Sequence, residues 1–413
     1  MVFLIIQFTD KASNILITSI QTIFRLDRLL VLVLLTPLLL ASTDVLSDDR
    51  QQRPQYNYDF SEFIHWLEDS VNEKDIPGGA LAIVSREGIR HLQTWGVKNV
   101  SEDAAINTDS IFRIASMSKT FAGTAATLLV AQNLQSWDAR VSDLFPDLHL
   151  GTSASSQQIT LKHLVSHSTG LMPHSYSNML DYGVGYSKIK EKFDEIPTVC
   201  APGRCYGYQN VVFSIIGDIV EQSTGDSYEK YIYEEVFKPL GMLTASVGME
   251  PYLNTPEATL PHRMVRGNWK TTTTNAAYYS VAPASGVNAS ISDMSKWVRA
   301  NLGGFPEVLS ENFLSQLHEP IISTPNGYFS NWSGLEKAYY ATGWRVIDYK
   351  GMRTIHHGGG VRGYRSEMAF VPDANIGMVL LFNAESSLAN DIVPAFLDNL
   401  SQAVIKYITH NGK

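Results

Sequence analysis

The chain has 413 residues, 44% of them hydrophobic, two cysteines and a formal net charge of −9 at pH 7. That composition supports a globular protein with a sizeable core, built as one large domain or two intimate lobes. An acidic balance with no basic run excludes a nucleic-acid binder and leaves a small molecule or peptide as the expected partner.

Near the start, Arg25 and Arg28 precede "LLVLVLLTPLLLAS", an apolar run ending in the small residues Ala41 and Ser42. Residues 1–42 therefore read as a secretory signal or, if uncut, an N-terminal anchor. A spanning helix needs roughly 20 apolar residues, so cleavage is expected. The protein is then exported, periplasmic or secreted, and meets a membrane only if this segment stays attached. Residues 43–57 are polar and read as a linker. Phe60, Phe63, Ile64, Trp66, Leu67 and Val71 follow at helical spacing, and Pro77 with two glycines ends that helix. "ALAIVSREGIRHLQTWG" reads as a hairpin turning at Arg86 to Gly88.

From Ser116 to about Ser330 helical segments and turns dominate. Within them Cys200 and Cys205 stand close together in "CAPGRC", as a bridge worth roughly 2 kcal/mol in the chain-entropy model or as two free thiols. "GWRVIDYKGMRTIHHGG" and "SEMAFVPDANIGMVLLFN" return to strands, and Asp391 to Ile408 form a closing amphipathic helix. Strands at both ends with helices between predict an α/β protein of the α+β type: one antiparallel sheet made from the chain ends, flanked by helices, plus a helical lobe. The α/β lobe spans 58–115 and 337–413 and the helical lobe 116–336, together one catalytic domain over 58–413. Four N-x-S/T sequons, at Asn99, Asn288, Asn331 and Asn399, bear on surface chemistry only if the host glycosylates its exports.

The chemistry begins in "FRIASMSKTF". Between Arg113 and Asp138 Lys119 is the only charged residue, and it stands in an apolar helix. A buried ammonium costs several kcal/mol unless it is paired or its pKa falls. Ser116 lies one helical turn before it, so a desolvated Lys119 can activate the Ser116 hydroxyl. At a helix start Ser116 also feels the positive end of the macrodipole. The S-x-x-K pattern recurs at Ser187–Lys190 and Ser227–Lys230, but those sit among other charges and read as solvated faces. Ser118 is the lesser candidate. His163 and His167 at i, i+4 lack an HExxH pattern or an evident third ligand, so neither metal nor cofactor is expected.

"SMSK" after "FRIA", "PGRCYGYQN" from Pro202 to Asn210, and "HHGGGVRG" from His356 to Gly363 resemble, in order and spacing, the S-x-x-K, Y-x-N and K/H-x-G motifs of class C β-lactamases and the related penicillin-recognising D,D-peptidases and esterases. The stretches "TLKHLVSHSTGL", "FKPLGM" and "ISDMSKW" resemble that family's intervening segments, the last reading as a helix N-cap. The resemblance implies a serine hydrolase that forms an acyl-enzyme with β-lactams or D-amino-acid peptides. Short acyl esters, or slow turnover as a penicillin-binding protein, are the alternatives.

It implies Ser116 as nucleophile and Lys119 with Tyr208 as shared base, with Lys119 favouring the Tyr208 phenolate. Asn210 would orient a substrate amide or hold Lys119. His357 and Gly359 would line the substrate strand, and the Gly360 and Ser116 amides would form the oxyanion hole. Tyr208 is preferred over Tyr176 and Tyr252, which also begin Y-x-N, because only it follows a Pro-Gly turn and precedes an apolar helix. Where class C β-lactamases usually carry lysine, this chain has His357; an imidazolium there would anchor a carboxylate and release it as pH climbs. Arg362 and Arg365 either restore positive charge or face solvent.

Overall fold

Residues 58–411 are described in the computed structural model, so the signal or anchor and the linker read at 1–57 lie outside the described residues. In α1 (Ser61–Glu73), Phe63, Leu67 and Val71 recur every four residues and bury one stripe. The hairpin follows as β1 (Gly78–Ser85) and β2 (Gly88–Gly96). Next come β3 (Phe112–Arg113), α2 (Ser118–Ala131), α3 (Ile215–Thr224), β4 (Ser246–Val247), β5 (His262–Val265), β6 (Asn268–Thr271), β7 (Val287–Ala289) and α4 (Ile291–Asn301). The chain closes with β8 (Ile322–Ser323), β9 (Leu335–Tyr340), β10 (Arg345–Tyr349), β11 (Met352–Val361), β12 (Tyr364–Val371), β13 (Ile376–Phe382) and α5 (Ala389–Asn411).

The main sheet has eight strands in the order β2-β1-β13-β12-β11-β10-β9-β8, antiparallel throughout. β1 from the start of the domain pairs with β13 from its end, Gly79 opposite Phe382 through Val84 opposite Gly377. Alternation along β1 sorts its side chains. Leu81 and Ile83 join Phe63 and Leu67 of α1 and Phe396 and Leu397 of α5 on one face. Ala80, Ala82 and Val84 join the larger core on the other, where Phe121 of α2 and Trp297 of α4 stack at 4.2 Å. Each fully buried Leu, Ile or Phe contributes about 1.5–3 kcal/mol. This is the sheet of chain termini expected from the sequence.

The middle segment differs from that reading. It also holds β4 and β7, which join β3 just ahead of it in a three-stranded sheet of order β3-β7-β4, and the β5-β6 hairpin. Strands of two to four residues are too short to display a period of two. The small sheet matters because β3 delivers the chain to Ser116, and β7 ties that entry to Asn288 and Ala289.

Candidate active site

Ser116 occupies a single 3-10 turn, Ala115–Met117, directly before α2. The residue ahead of it, Ala115, has φ +49°, a left-handed conformation that costs a non-glycine residue on the order of 1–3 kcal/mol and is typical of functional turns. Ser118 is fully buried, and its Oγ accepts the Val287 N–H at 3.0 Å; its role is to tie α2 to β7.

Lys119 is completely buried on α2. Its Nζ donates to Asn210 Oδ1 at 2.8 Å, to Ala284 O at 3.0 Å and toward Ser116 Oγ at 3.4 Å. The same amine lies over the rings of Tyr208, at 4.6 Å, and Phe213, at 5.4 Å. Burial, reinforced by the positive charge of Arg345, holds its pKa well below the usual lysine value. The chain thus places an amine that can be neutral within reach of a hydroxyl.

Tyr208 arrives on a loop pinned along its length. Cys200 and Cys205 are bridged. Gly203 N–H donates to Ser168 O and Gly207 N–H to His167 O, each at 2.7 Å, while His174 N–H donates to Tyr208 O at 2.8 Å. The His167 ring packs 4.4 Å from the Tyr208 ring, and the segment then turns into α3. Burial pushes the Tyr208 phenol up to about 12, although the Ser116 hydroxyl and the Arg345 charge both act to lower it. The phenolate expected to be favoured by the neighbouring ammonium is therefore corrected: desolvation outweighs the interactions that favour it, and Tyr208 stands protonated.

Strand β11 carries the third motif. β10 accompanies it only to His356, opposite Arg345, so from His357 to Val361 its ladder partner is β12 alone. A Cβ on Gly359 would run into Ile114 O and Ser366 Oγ, so glycine is what allows the strand to lie against the serine turn. Gly360 follows on this open edge and is exposed.

His357 departs from the expected imidazolium. Its Nδ1 meets Gly358 O at 2.8 Å and its Nε2 meets Tyr340 Oη at 3.0 Å, which satisfies a neutral ring. Burial first, then the charges of Arg345 and Lys119, hold its pKa well below 6.5. The positive charge comes instead from Arg345 on β10. Its guanidinium lies 5.8 Å from the Tyr208 and Tyr340 rings and 5.4 Å from Phe329. Sequence reasoning missed Arg345, although the signal resembles that of Lys119: a charge two and four residues before the buried Ile347 and Tyr349, on the same strand face.

The competing motifs go elsewhere. Lys190 pairs with Asp218 at 2.7 Å and Lys230 with Asp226 at 2.6 Å. Tyr252 donates to Thr259 O, and Tyr176 starts a helix in a left-handed conformation. His163 Nδ1 accepts the Thr160 N–H as part of a capping box, and His167 supports Tyr208. The cap of α4 is Ser290, one residue before "ISDMSKW", its Oγ accepting the Asp293 N–H.

A buried lysine bonded to a serine on the preceding turn, a buried tyrosine beside that lysine and a glycine strand against the serine turn define a serine hydrolase site. The chain belongs to the Beta-lactamase family, whose profile matches residues 63–402. It is 26% identical over 358 residues to "Penicillin-binding protein 4" of Amycolatopsis lactamdurans, covering 82% of this chain and 90% of that one. It is 23% identical over 348 residues to "Beta-lactamase" of Escherichia coli K12, covering 76% and 85%. "Unguisins hydrolase ungD'" of Aspergillus campestris is 24% identical over 356 residues, covering 79% of this chain and 62% of that protein. In fold it resembles the octameric penicillin-binding protein homologue of Pyrococcus abyssi, with a TM-score of 0.73 and 21% identity over 83% of this chain and 78% of that one.

Proposed function

We propose that the protein is an exported hydrolase in which Ser116 forms an acyl-enzyme with an amide carbonyl, in a D-amino-acid peptide or a β-lactam. The observation that carries this reading is the contact of Lys119 Nζ with Ser116 Oγ at 3.4 Å, made by an amine whose burial favours the neutral form. Ser116 Oγ attacks the carbonyl carbon as its proton passes to Lys119 Nζ, a positioned base that contributes typically 10²–10⁴-fold. The oxyanion is held by the amides of Ser116 and Gly360, each such donor being worth about 10²–10³ in rate. Tyr208, protonated at rest, gives its proton to the leaving nitrogen and recovers one from Lys119. Water then clears the ester. Asn210 holds Lys119 in place.

Arg345, rather than His357, supplies the positive potential for an anionic substrate group. Short acyl esters are the second reading, favoured by the neutral His357, since an ester needs no anionic anchor. The Cys200–Cys205 bridge supports export to an oxidising compartment. The test mixes purified protein with a chromogenic cephalosporin, a D-amino-acid peptide and an acyl ester while following protein mass. Turnover of the cephalosporin or peptide through a Ser116 adduct supports the amide reading, and ester turnover alone supports the second. A persistent adduct identifies a slow penicillin-binding protein. Full turnover by Ser116→Ala overturns the assignment.

A further inference from the structure

β3 is two residues long, and its second residue, Arg113, is 1% exposed. Its Nε, Nη1 and Nη2 are each sealed from solvent, and among the described residues none of them has a hydrogen-bond partner. Arg140 and Arg263 pair with Asp143 and Glu385, but among the described residues no carboxylate stands within ion-pair distance of Arg113. A guanidinium keeps its proton in a protein, so it cannot escape the cost of burial by becoming neutral, as an amine can. A buried charge left without a counter-charge costs a fold several kcal/mol.

The groups around it do not supply the missing acceptor. Arg113 Cζ lies 4.1 Å from the centre of the Tyr279 ring, a contact that attracts the charge but accepts none of the N–H groups radiating in the guanidinium plane. Tyr279 donates its hydroxyl to Asn288 Oδ1 at 2.7 Å, and Asn288 is the residue opposite Arg113 in the β3-β7 ladder. The rest of that amide is used as well, Nδ2 donating to Gly248 O at 2.8 Å and to Ser246 Oγ at 3.3 Å. Ile111, Tyr252 and Tyr279 form one buried cluster. Within it Ile111 O accepts from both Thr259 N and Thr259 Oγ1 at 2.9 Å, and Tyr252 Oη donates to Thr259 O at 2.7 Å. The enclosure thus holds a fixed positive charge and donors in excess of acceptors.

We propose that Arg113 holds a resident monovalent inorganic anion of chloride's size, in the plane of its guanidinium beside the Tyr279 ring, as the counter-ion of the strand that leads into the serine turn. A trapped water would accept an N–H and leave the charge uncompensated, whereas an anion answers both needs. A substrate carboxylate cannot reach so enclosed a group without opening the small sheet, which leaves an ion small enough to be sealed in as the core closes. Occupancy of this site does not depend on what Ser116 acylates.

In the experiment the full chain is dialysed free of chloride into sodium gluconate, an anion too large to be enclosed. Its melting is then followed as chloride or bromide replaces gluconate at constant ionic strength, and crystals grown in bromide are measured at the bromine absorption edge. Wild type should gain about 5 °C in Tm by a hundredfold excess of halide over its dissociation constant. One bromide peak should stand within hydrogen-bonding reach of the Arg113 nitrogens. Arg113→Met removes the charge and should make Tm indifferent to the exchange. Should that variant not fold, the wild-type diffraction decides by itself. Absence of bromide density at Arg113, or a halide response equally strong in a folded Arg113→Met, overturns the proposal and leaves the guanidinium to water.

Discussion

Replacing Lys119 with methionine separates catalysis from stability, because the two respond in different ways. The side chain keeps an unbranched apolar stem and loses its terminal amine. Three bonds are lost, to Asn210 Oδ1, Ala284 O and Ser116 Oγ; the first two leave acceptors short of a donor, at about 1–3 kcal/mol each. Against this stands relief from burying an amine that must either shed its proton or stay an ammonium with no carboxylate within ion-pair distance among the described residues, a gain of several kcal/mol. The terms oppose, so calorimetry should show a Tm shift of no more than about 5 °C in either direction.

Hydrolysis should nevertheless fall by roughly 10²–10⁴-fold or more, since the proton acceptor is gone. The pH profile adds a second check. The wild-type rate should rise with pH through the lowered pKa of Lys119, and Lys119→Met should lose that limb. Between that lowered pKa and the ordinary 10.5 the unfolded chain binds more protons than the fold does, so this residue's contribution to stability improves with rising pH across that window. A loss of about 3–5 kcal/mol, as when one half of a buried ion pair is removed, would refute the reasoning, as would retention of a tenth of the activity.

Tyr208→Phe removes the hydroxyl that donates in the proposed mechanism, so kcat should drop by about 10²–10⁴-fold with KM little changed; an unchanged kcat in steady-state assays excludes it from proton transfer. Because His357 is neutral and satisfied on both nitrogens, KM for an anionic substrate should stay flat from pH 6 to 8, and a rise centred near 6.5 would reinstate the imidazolium. Gly359→Ala forces a methyl into Ile114 O, which cannot move without displacing the serine turn. The expected loss is about 1–3 kcal/mol by thermal melting together with activity, and a variant of native stability and rate would show that the strand does not lean on the turn.

Much of this molecule could be read before it folded. The termini-built sheet was legible because β1 and β13 are long enough for their composition to speak, and α1 because Phe63, Leu67 and Val71 repeat at helical spacing. Lys119 stood out for a similar reason, as one charge in an apolar helix, and Ser116 followed by spacing. Short-range periodicity and the cost of burying charge are properties of local sequence.

What tertiary structure alone decided is the protonation and direction of the groups. Tyr208 lies 89 positions from Lys119 in the chain, and whether its phenol ionises depends on how much water the fold excludes, which no window of residues reports. The same exclusion leaves His357 neutral and moves the site's positive charge to Arg345 on the neighbouring strand. Desolvation is a sum over everything packed around a group. Sequence could therefore nominate the residues of this site, but only the assembled core could assign their charges.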